Sequence, residues 1–417
     1  MRTLIVSDLH LGSTSRADLL RRPELREPLL ALAAEVDRVV LLGDVIELRH
    51  GPPGAALAVA QPFFEELGRV LAGKQLVLVA GNHDHAMIEP WLAMRAELPD
   101  SPPLGLEQLL QAEQASPMVA RLAEWAAPAA VRFAYPGLWV RPDVYAMHGH
   151  YLDCHLTVPT IERLSVGAMS RLLGRPAHSF HSVADYEAVT APMYAWRHAV
   201  ARDAPTGEAL NGIGTVHAWR ALSGRAKDEA KAVSSNGASA GGGGGSPSAR
   251  SHRLRRRLDE GWAGLRVQAL VHGFPYAIAA LNRAGLGPLK AEISTGELRG
   301  AGLRAMGEVA ARIGLGDSHV IFGHTHRAGP LSGDDQREWD RPPSEPGGAS
   351  GARLLNVGCW TYDSIFLTAT PGESPYWPGT CALVEDSGPP VLQRLLLDRS
   401  HAQLQGRTRA PVQHPAQ

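Results

Sequence analysis

The stretch Val39-Val40-Leu41-Leu42-Gly43-Asp44-Val45-Ile46-Glu47 constrains this chain more than any other. Four apolar residues run without alternation into a glycine and then an aspartate. An unbroken apolar run of this length, bounded by Gly, reads as a strand buried on both faces. Such a strand ends at Gly43 and leaves Asp44 at its carboxyl tip, the edge where open sheets place their ligands. A carboxylate there can offer one oxygen to each of two cations.

The same pattern recurs along the chain. Thr3-Leu4-Ile5-Val6-Ser7 delivers Asp8-Leu9-His10, and Gln75-Leu76-Val77-Leu78-Val79-Ala80 delivers Gly81-Asn82-His83-Asp84. Val144 to Met147 delivers His148-Gly149-His150, and His319-Val320-Ile321-Phe322 delivers Gly323-His324-Thr325-His326. In an extended backbone residues i and i+2 share a side, so Asp8 with His10, and His324 with His326, can chelate together. Helical stretches at Leu19–Val36 and Phe63–Leu71 separate the first three strands, which argues for an α/β sheet. Further strands are expected at Leu354–Gly358, Thr380–Val384 and Val391–Leu397. Gly81 is read as the residue that lets the chain turn sharply out of its strand. Each polar tip alone has a plain explanation: Asp44 could cap a helix, and an Asn after Gly is commonly a turn residue. Five tips of the same kind do not.

Composition excludes several classes. With 417 residues, 44% hydrophobic and 20% charged, the chain is an ordinary globular protein of more than one segment. A net charge of −1 gives no overall attraction to nucleic acid or an anionic membrane. Three scattered cysteines make neither a disulfide framework nor a zinc ribbon. Ser7-Asp8 interrupts the first apolar run too early for a secretory signal, and no run of 18 apolar residues appears. Trp262–Leu281 comes nearest and reads as a partly buried helix. A cytoplasmic location follows, with peripheral membrane contact open.

Five segments organise the reading. Residues 1–150 are a first core part and 151–314 a helical insertion, with helices at Leu152–Leu173 and Val183–Val200. Within the insertion lie a Gly/Ser-rich linker at 234–251, containing Gly241–Gly245, and a basic run at Arg250–Arg257. Residues 315–398 complete the core, and 399–417 read as a disordered tail. Pro99–Pro128 carries no chemical signal.

Taken in order, Asp8-x-His10, Gly43-Asp44, Gly81-Asn82-His83-Asp84, His148-Gly149-His150 and Gly323-His324-x-His326 resemble the five motifs of the calcineurin-like metallophosphoesterase superfamily. The resemblance implies a four-layer α-β-β-α sandwich of two mixed sheets, carrying the helical insertion. It also implies that Asp8, His10 and His326 bind one divalent ion, that Asn82, His148 and His324 bind a second, and that Asp44 bridges. Nitrogen and oxygen donors without thiolate suit Mn, Fe or Zn, with Mn favoured. Two ions ~3.5–4 Å apart clamp a phosphoryl group and hold a hydroxide in line for attack on phosphorus. His83 is then the general acid and Asp84 the carboxylate that orients it. The branch that this chain is most similar to is that of the UDP-2,3-diacylglucosamine pyrophosphohydrolases, through Ser7-Asp8-Leu9-His10-Leu11-Gly12, the insertion after His150, and Asn356-Val357-Gly358-Cys359-Trp360. It departs from that branch in having His150 where the branch has Asp, and in a longer insertion. The expected substrate is a small or lipid-linked phosphoester, with His150, Arg49 and His155 as candidate substrate contacts. A nuclease of the same superfamily and a metal-free scaffold are the alternatives; nucleic acid is not the expected partner.

Overall fold

A computed structural model describes residues 1–98, 100–203, 276–290, 295–340, 351–364, 367–368 and 370–406. The Gly241–Gly245 linker, the Arg250–Arg257 run, most of Trp262–Leu281 and the end of the proposed tail lie outside the described residues. The first residues of that tail form a short helix, His401–Leu404, in which Ser400 accepts from the Gln403 N–H.

Each solid apolar run is a strand: β1 (Thr3–Val6), β2 (Arg38–Leu42) and β3 (Gln75–Val79), followed by β6 (Val144–Met147), β7 (His319–Phe322) and β9 (Arg353–Val357). β1, β2 and β3 pair in parallel, with Ile5 opposite Val40 and Val40 opposite Val77. Helices α1 (Pro23–Ala34) and α2 (Pro53–Val70) make the crossovers, each with Pro in its first turn, where the missing N–H costs nothing. β6, β7 and β9 form a second parallel group, and β10 (Thr380–Val384) joins β1 antiparallel.

The expected pair of stacked sheets is not what forms. Among the described residues all eleven strands, including the short β8 (Ala328–Gly329) and the edge strand β11 (Val391–Arg394), belong to one mixed sheet, in the order β11-β10-β1-β2-β3-β5-β6-β7-β9-β8, with β4 (Glu107–Gln111) laid on β5. The reason is β5 (Ala130–Arg141), a 12-residue strand that apolar patterning did not reveal. Its first half pairs in parallel with β3 and its second half antiparallel with β6, so one continuous strand ties together what would otherwise be two sheets. The sheet curls almost into a barrel. Ile5, Val40 and Val77 from one half share a single core with Leu138, Ile321 and Leu355 from the other. This curl brings the tips of both parallel groups to one rim.

The chain divides into two compact units. One is Met1–His155, Ala177–Leu210 and Leu303–Gln417; the other is Leu156–Pro176 and Asn211–Gly302. Helix α7 (Val183–Asp203), expected in the insertion, has its residues in the first unit. In the second, α6 (Ile161–Leu172) is fixed by buried Arg163, which donates to the carbonyls of Leu156 at 2.8 Å and Gly287 at 2.9 Å. Cys154, Cys359 and Cys381 are buried and free. Among the described residues no helix is long and apolar enough to cross a membrane.

Candidate metal centre

β1, β2 and β7 stop one residue short of Asp8, Asp44 and His324, where the backbone enters the left-handed region. Among the described residues seven non-glycine residues have positive φ, and five are site residues: Asp8 (57°), His10 (46°), Asp44 (52°), His324 (65°) and His326 (59°). Asp8 and His10 share a group as expected, whereas His324 and His326 fall in different ones, and the backbone that presents them is strained loop rather than extended strand, of a kind that persists where surroundings over-determine it. Those surroundings are visible. The N–H groups of Asp8, His10 and Leu11 donate to the carbonyls of Gly43, Asp44 and Val45 at 3.1, 2.8 and 2.9 Å, zipping the first two tips together. Gly81 serves by lacking bulk rather than by turning: a Cβ there would stand 2.3 Å from Asp44 Oδ1.

Four imidazoles each turn one nitrogen outward to a protein acceptor and the other inward. His10 Nδ1 donates to Glu47 Oε2 at 3.0 Å, His148 Nδ1 to the Leu42 carbonyl at 3.0 Å, and His324 Nε2 to Asp153 Oδ2 at 3.0 Å. His326 Nδ1 faces the Thr361 hydroxyl at 3.4 Å. The first three bonds place a proton on the outer nitrogen, so each of those inner nitrogens offers a lone pair once any proton it carries is displaced. The inner nitrogens meet the carboxylates: His326 Nε2 lies 3.2 Å from Asp8 Oδ1 and from His10 Nε2, while His148 Nε2 lies 3.3 Å from Asp44 Oδ2. Three groups emerge whose ligand atoms lie within 4.8 Å of one another: Asp8-His10-His326, His10-Asp44-His83 and Asp44-His148-His324. Asp44 belongs to two of them.

Carboxylates and imidazoles crowd together here, which is the condition a cation satisfies. Asp8 Oδ1 is buried, with His326 Nε2 3.2 Å away. The inner atom of the Asn82 amide stands 3.0 Å from His324 Nδ1, 3.1 Å from His148 Nε2 and 3.2 Å from Asp44 Oδ2. As an oxygen it adds a further acceptor to the hole. Turned over, its nitrogen donates to all three while its oxygen accepts from Arg49 at 3.0 and 3.3 Å. Charge tells the same story. Despite burial, which disfavours the imidazolium, Asp44 raises His148 to about 9 and Asp8 holds His326 well above its ordinary value. Burial works against the Asp8 anion too, yet His326 beside it brings that carboxyl to about 2. Protons on imidazoles supply the positive charge that the carboxylates demand, and two divalent ions fit this donor set.

Glu47, which sequence reasoning left without a role, is buried and accepts from His83 Nδ1 (2.8 Å to Oε2) as well as from His10. Its signal was a carboxylate at the end of the Asp44 stretch. The position of Asp84 differs from the expectation that it orients His83. Its oxygens accept from the backbone N–H groups of Gly81 (2.6 Å), Val45 (2.7 Å), Asp44 (3.2 Å) and Ile46 (3.3 Å), tying the second tip to the third. Burial and the Asp44 charge push the Asp84 carboxyl up to about 6, against the four donors that favour its anion. Burial, with Arg49 adding to it, holds His83 down to about 4 even beside Glu47.

Asp153, on His324, was also missed, because its place depends on the 3₁₀ turn His150–Cys154. Arg49 lies against the Asn82 amide, with its guanidinium 5.4 Å from the Tyr194 ring centroid. His150 is buried, its ring 5.7 Å from that of His148. His155 pairs with the Tyr186 hydroxyl at 2.6 Å.

Comparison with protein families matches residues 1–178 to the calcineurin-like phosphoesterases. No curated protein matches the chain.

Proposed function

We propose, from the match of residues 1–178 to the calcineurin-like phosphoesterases and from the donors gathered at the sheet rim, that the chain is a dimetal hydrolase of a small or lipid-linked phosphoester or pyrophosphate. One observation carries the reading: carboxylates and imidazoles from separate strand tips converge at the sheet rim in groups whose ligand atoms lie within 4.8 Å of one another, with Asp44 in two of them. Asp8, His10 and His326 would hold one ion, Asn82, His148 and His324 the other, with Asp44 facing both. Bound divalent ions, Mn being the best match to these nitrogen and oxygen donors, supply Lewis-acid polarisation of a phosphoryl oxygen and a water of lowered pKa.

The chain's own groups do the rest. Glu47 fixes His83 in the tautomer with the proton on Nδ1, which leaves Nε2 for substrate. A phosphoester anion beside this ring raises its proton affinity from the low resting value, so that the imidazole can protonate the departing oxygen. Arg49 stands next to Asn82, where its charge favours an anionic substrate. Asp84 holds the second and third tips at fixed separation through backbone bonds and takes no part in proton transfer.

The test is hydrolysis by Mn-supplemented protein of bis-p-nitrophenyl phosphate, p-nitrophenyl phosphate, UDP-sugars, cyclic nucleotides and single-stranded DNA. Ion-dependent cleavage of a small ester or pyrophosphate is expected. Fewer than one ion per chain together with no cleavage would establish the scaffold alternative, and cleavage of DNA alone the nuclease.

A further inference from the structure

Beside the metal centre, within the same compact unit, lies a group of buried polar side chains that the proposed chemistry does not use. His85 follows β3, His150 follows β6, and Glu187 and Tyr194 come from α7. They are 3%, 1%, 7% and 2% exposed. Both nitrogens of His85, both nitrogens of His150, the Tyr194 hydroxyl and Glu187 Oε2 have no hydrogen-bond partner. Glu187 Oε1 is satisfied, accepting from Tyr135 at 2.7 Å and from Tyr151, so the carboxylate is held in place with its second oxygen left over.

These side chains lie against one another. The Tyr194 ring centroid is 5.2 Å from that of His85 and 5.5 Å from that of His150, and His85 Nε2 is 3.6 Å from Glu187 Oε2. His150 in turn borders the ligand His148, and Arg49 lies over Tyr194 while contacting Asn82. The cluster thus sits one side chain away from the proposed ions.

Six orphaned polar atoms in one buried spot are far outside the usual satisfaction of buried polar groups. Their chemistry limits what can occupy it. An anion requires donors alone and a cation acceptors alone. Here a hydroxyl and imidazoles offer both, and a carboxylate oxygen only accepts. None of the three metal-type groups includes any of these residues. A mixed set of this kind matches hydroxyl groups, each of which donates once and accepts twice.

Building on the phosphoester reading, we infer that His85, His150, Glu187 and Tyr194 form a subsite for the hydroxyl groups of the substrate's alcohol part, a sugar, polyol or ribose moiety. Sites that hydrogen-bond a substrate hydroxyl discriminate strongly against the analogue that lacks it, because their own polar atoms then stay unpaired.

The experiment measures binding of two product analogues, glycerol 3-phosphate and propyl phosphate, to the Mn-loaded full chain by calorimetry. Wild type is expected to prefer glycerol 3-phosphate by about tenfold or more. Tyr194→Phe, which keeps the ring over Arg49, should bring the ratio towards one while leaving propyl phosphate affinity unchanged. Equal affinity for the two analogues in wild type overturns the proposal and leaves these atoms to internal water. A phosphate-free arm separates this inference from the phosphoester reading: myo-inositol should raise the melting temperature of wild type more than that of Tyr194→Phe. If neither phosphate binds but this difference appears, the phosphoester reading falls and the hydroxyl subsite stands. If neither phosphate binds and the difference is absent, both fall.

Discussion

Replacing Glu47 by Gln tests the outward-facing bonds of the metal centre one ion at a time. The Glu47 carboxylate receives His10 Nδ1 at 3.0 Å, His83 Nδ1 at 2.8 Å and the Arg49 backbone N–H at 2.9 Å. A glutamine has one oxygen for these three donors, and its amide nitrogen would face at least one of them. Removing the partner of a metal-bound imidazole weakens ion binding ~10–100-fold, which is about 1.4–2.7 kcal/mol. The loss should fall on the ion beside Asp8, His10 and His326, because Glu47 touches no imidazole of the other group. Asp153→Asn is the reciprocal change. It retains one oxygen for His324, so its effect should lie near the lower end, about tenfold, and on the other ion. Equilibrium dialysis with graded Mn, followed by ion counting, resolves the two steps. With both sites saturated, Glu47→Gln should still turn over poorly, since His83 has lost its anchor, whereas Asp153→Asn should recover. If both variants weaken the same step, or Glu47→Gln leaves both steps unchanged, the assignment of outer partners to ions is wrong.

Three further outcomes are expected. His83→Ala should keep both ions and lose ~10²–10⁴-fold in kcat; loss of an ion in the dialysis assay would make His83 a ligand, a role that its grouping with His10 and Asp44 also permits geometrically. Mn affinity should rise with pH: the neighbouring carboxylates keep His148 and His326 protonated above their ordinary values without ions, His148 to about 9, so binding displaces protons and is hindered below that range. Calorimetry in buffers of different ionisation enthalpy should show proton release near neutrality, and none would contradict the protonated resting imidazoles. Asp84→Asn should lower stability by about 2–4 kcal/mol, because a single amide oxygen cannot serve the four N–H groups that Asp84 accepts. A denaturant midpoint unchanged from wild type would show that those bonds are replaceable.

The chain's primary structure alone determined which segments become buried strands and which side chains sit at their ends. Unbroken runs such as Val39–Leu42 and Leu76–Val79 have no polar face to show to water, so they take interior positions in a sheet, and the residues just beyond them must lie at its rim. That reasoning located Asp8, Asp44, Asn82, His148 and His324. It could not locate β5, whose Ala130-Val131-Arg132-Phe133-Ala134-Tyr135-Pro136-Gly137 has no clean period, and without β5 the number of sheets was undetermined. Nor could it distinguish Asp84 from Glu47 as the partner of His83. The left-handed turn at Asp44 sends Glu47 towards both imidazoles, while Asp84 is consumed by backbone donors. Sequence patterns report burial and periodicity, which are local. The direction a side chain takes after its strand ends depends on backbone dihedrals imposed by neighbouring tips, and those exist only once the sheet has curled and its rim has closed.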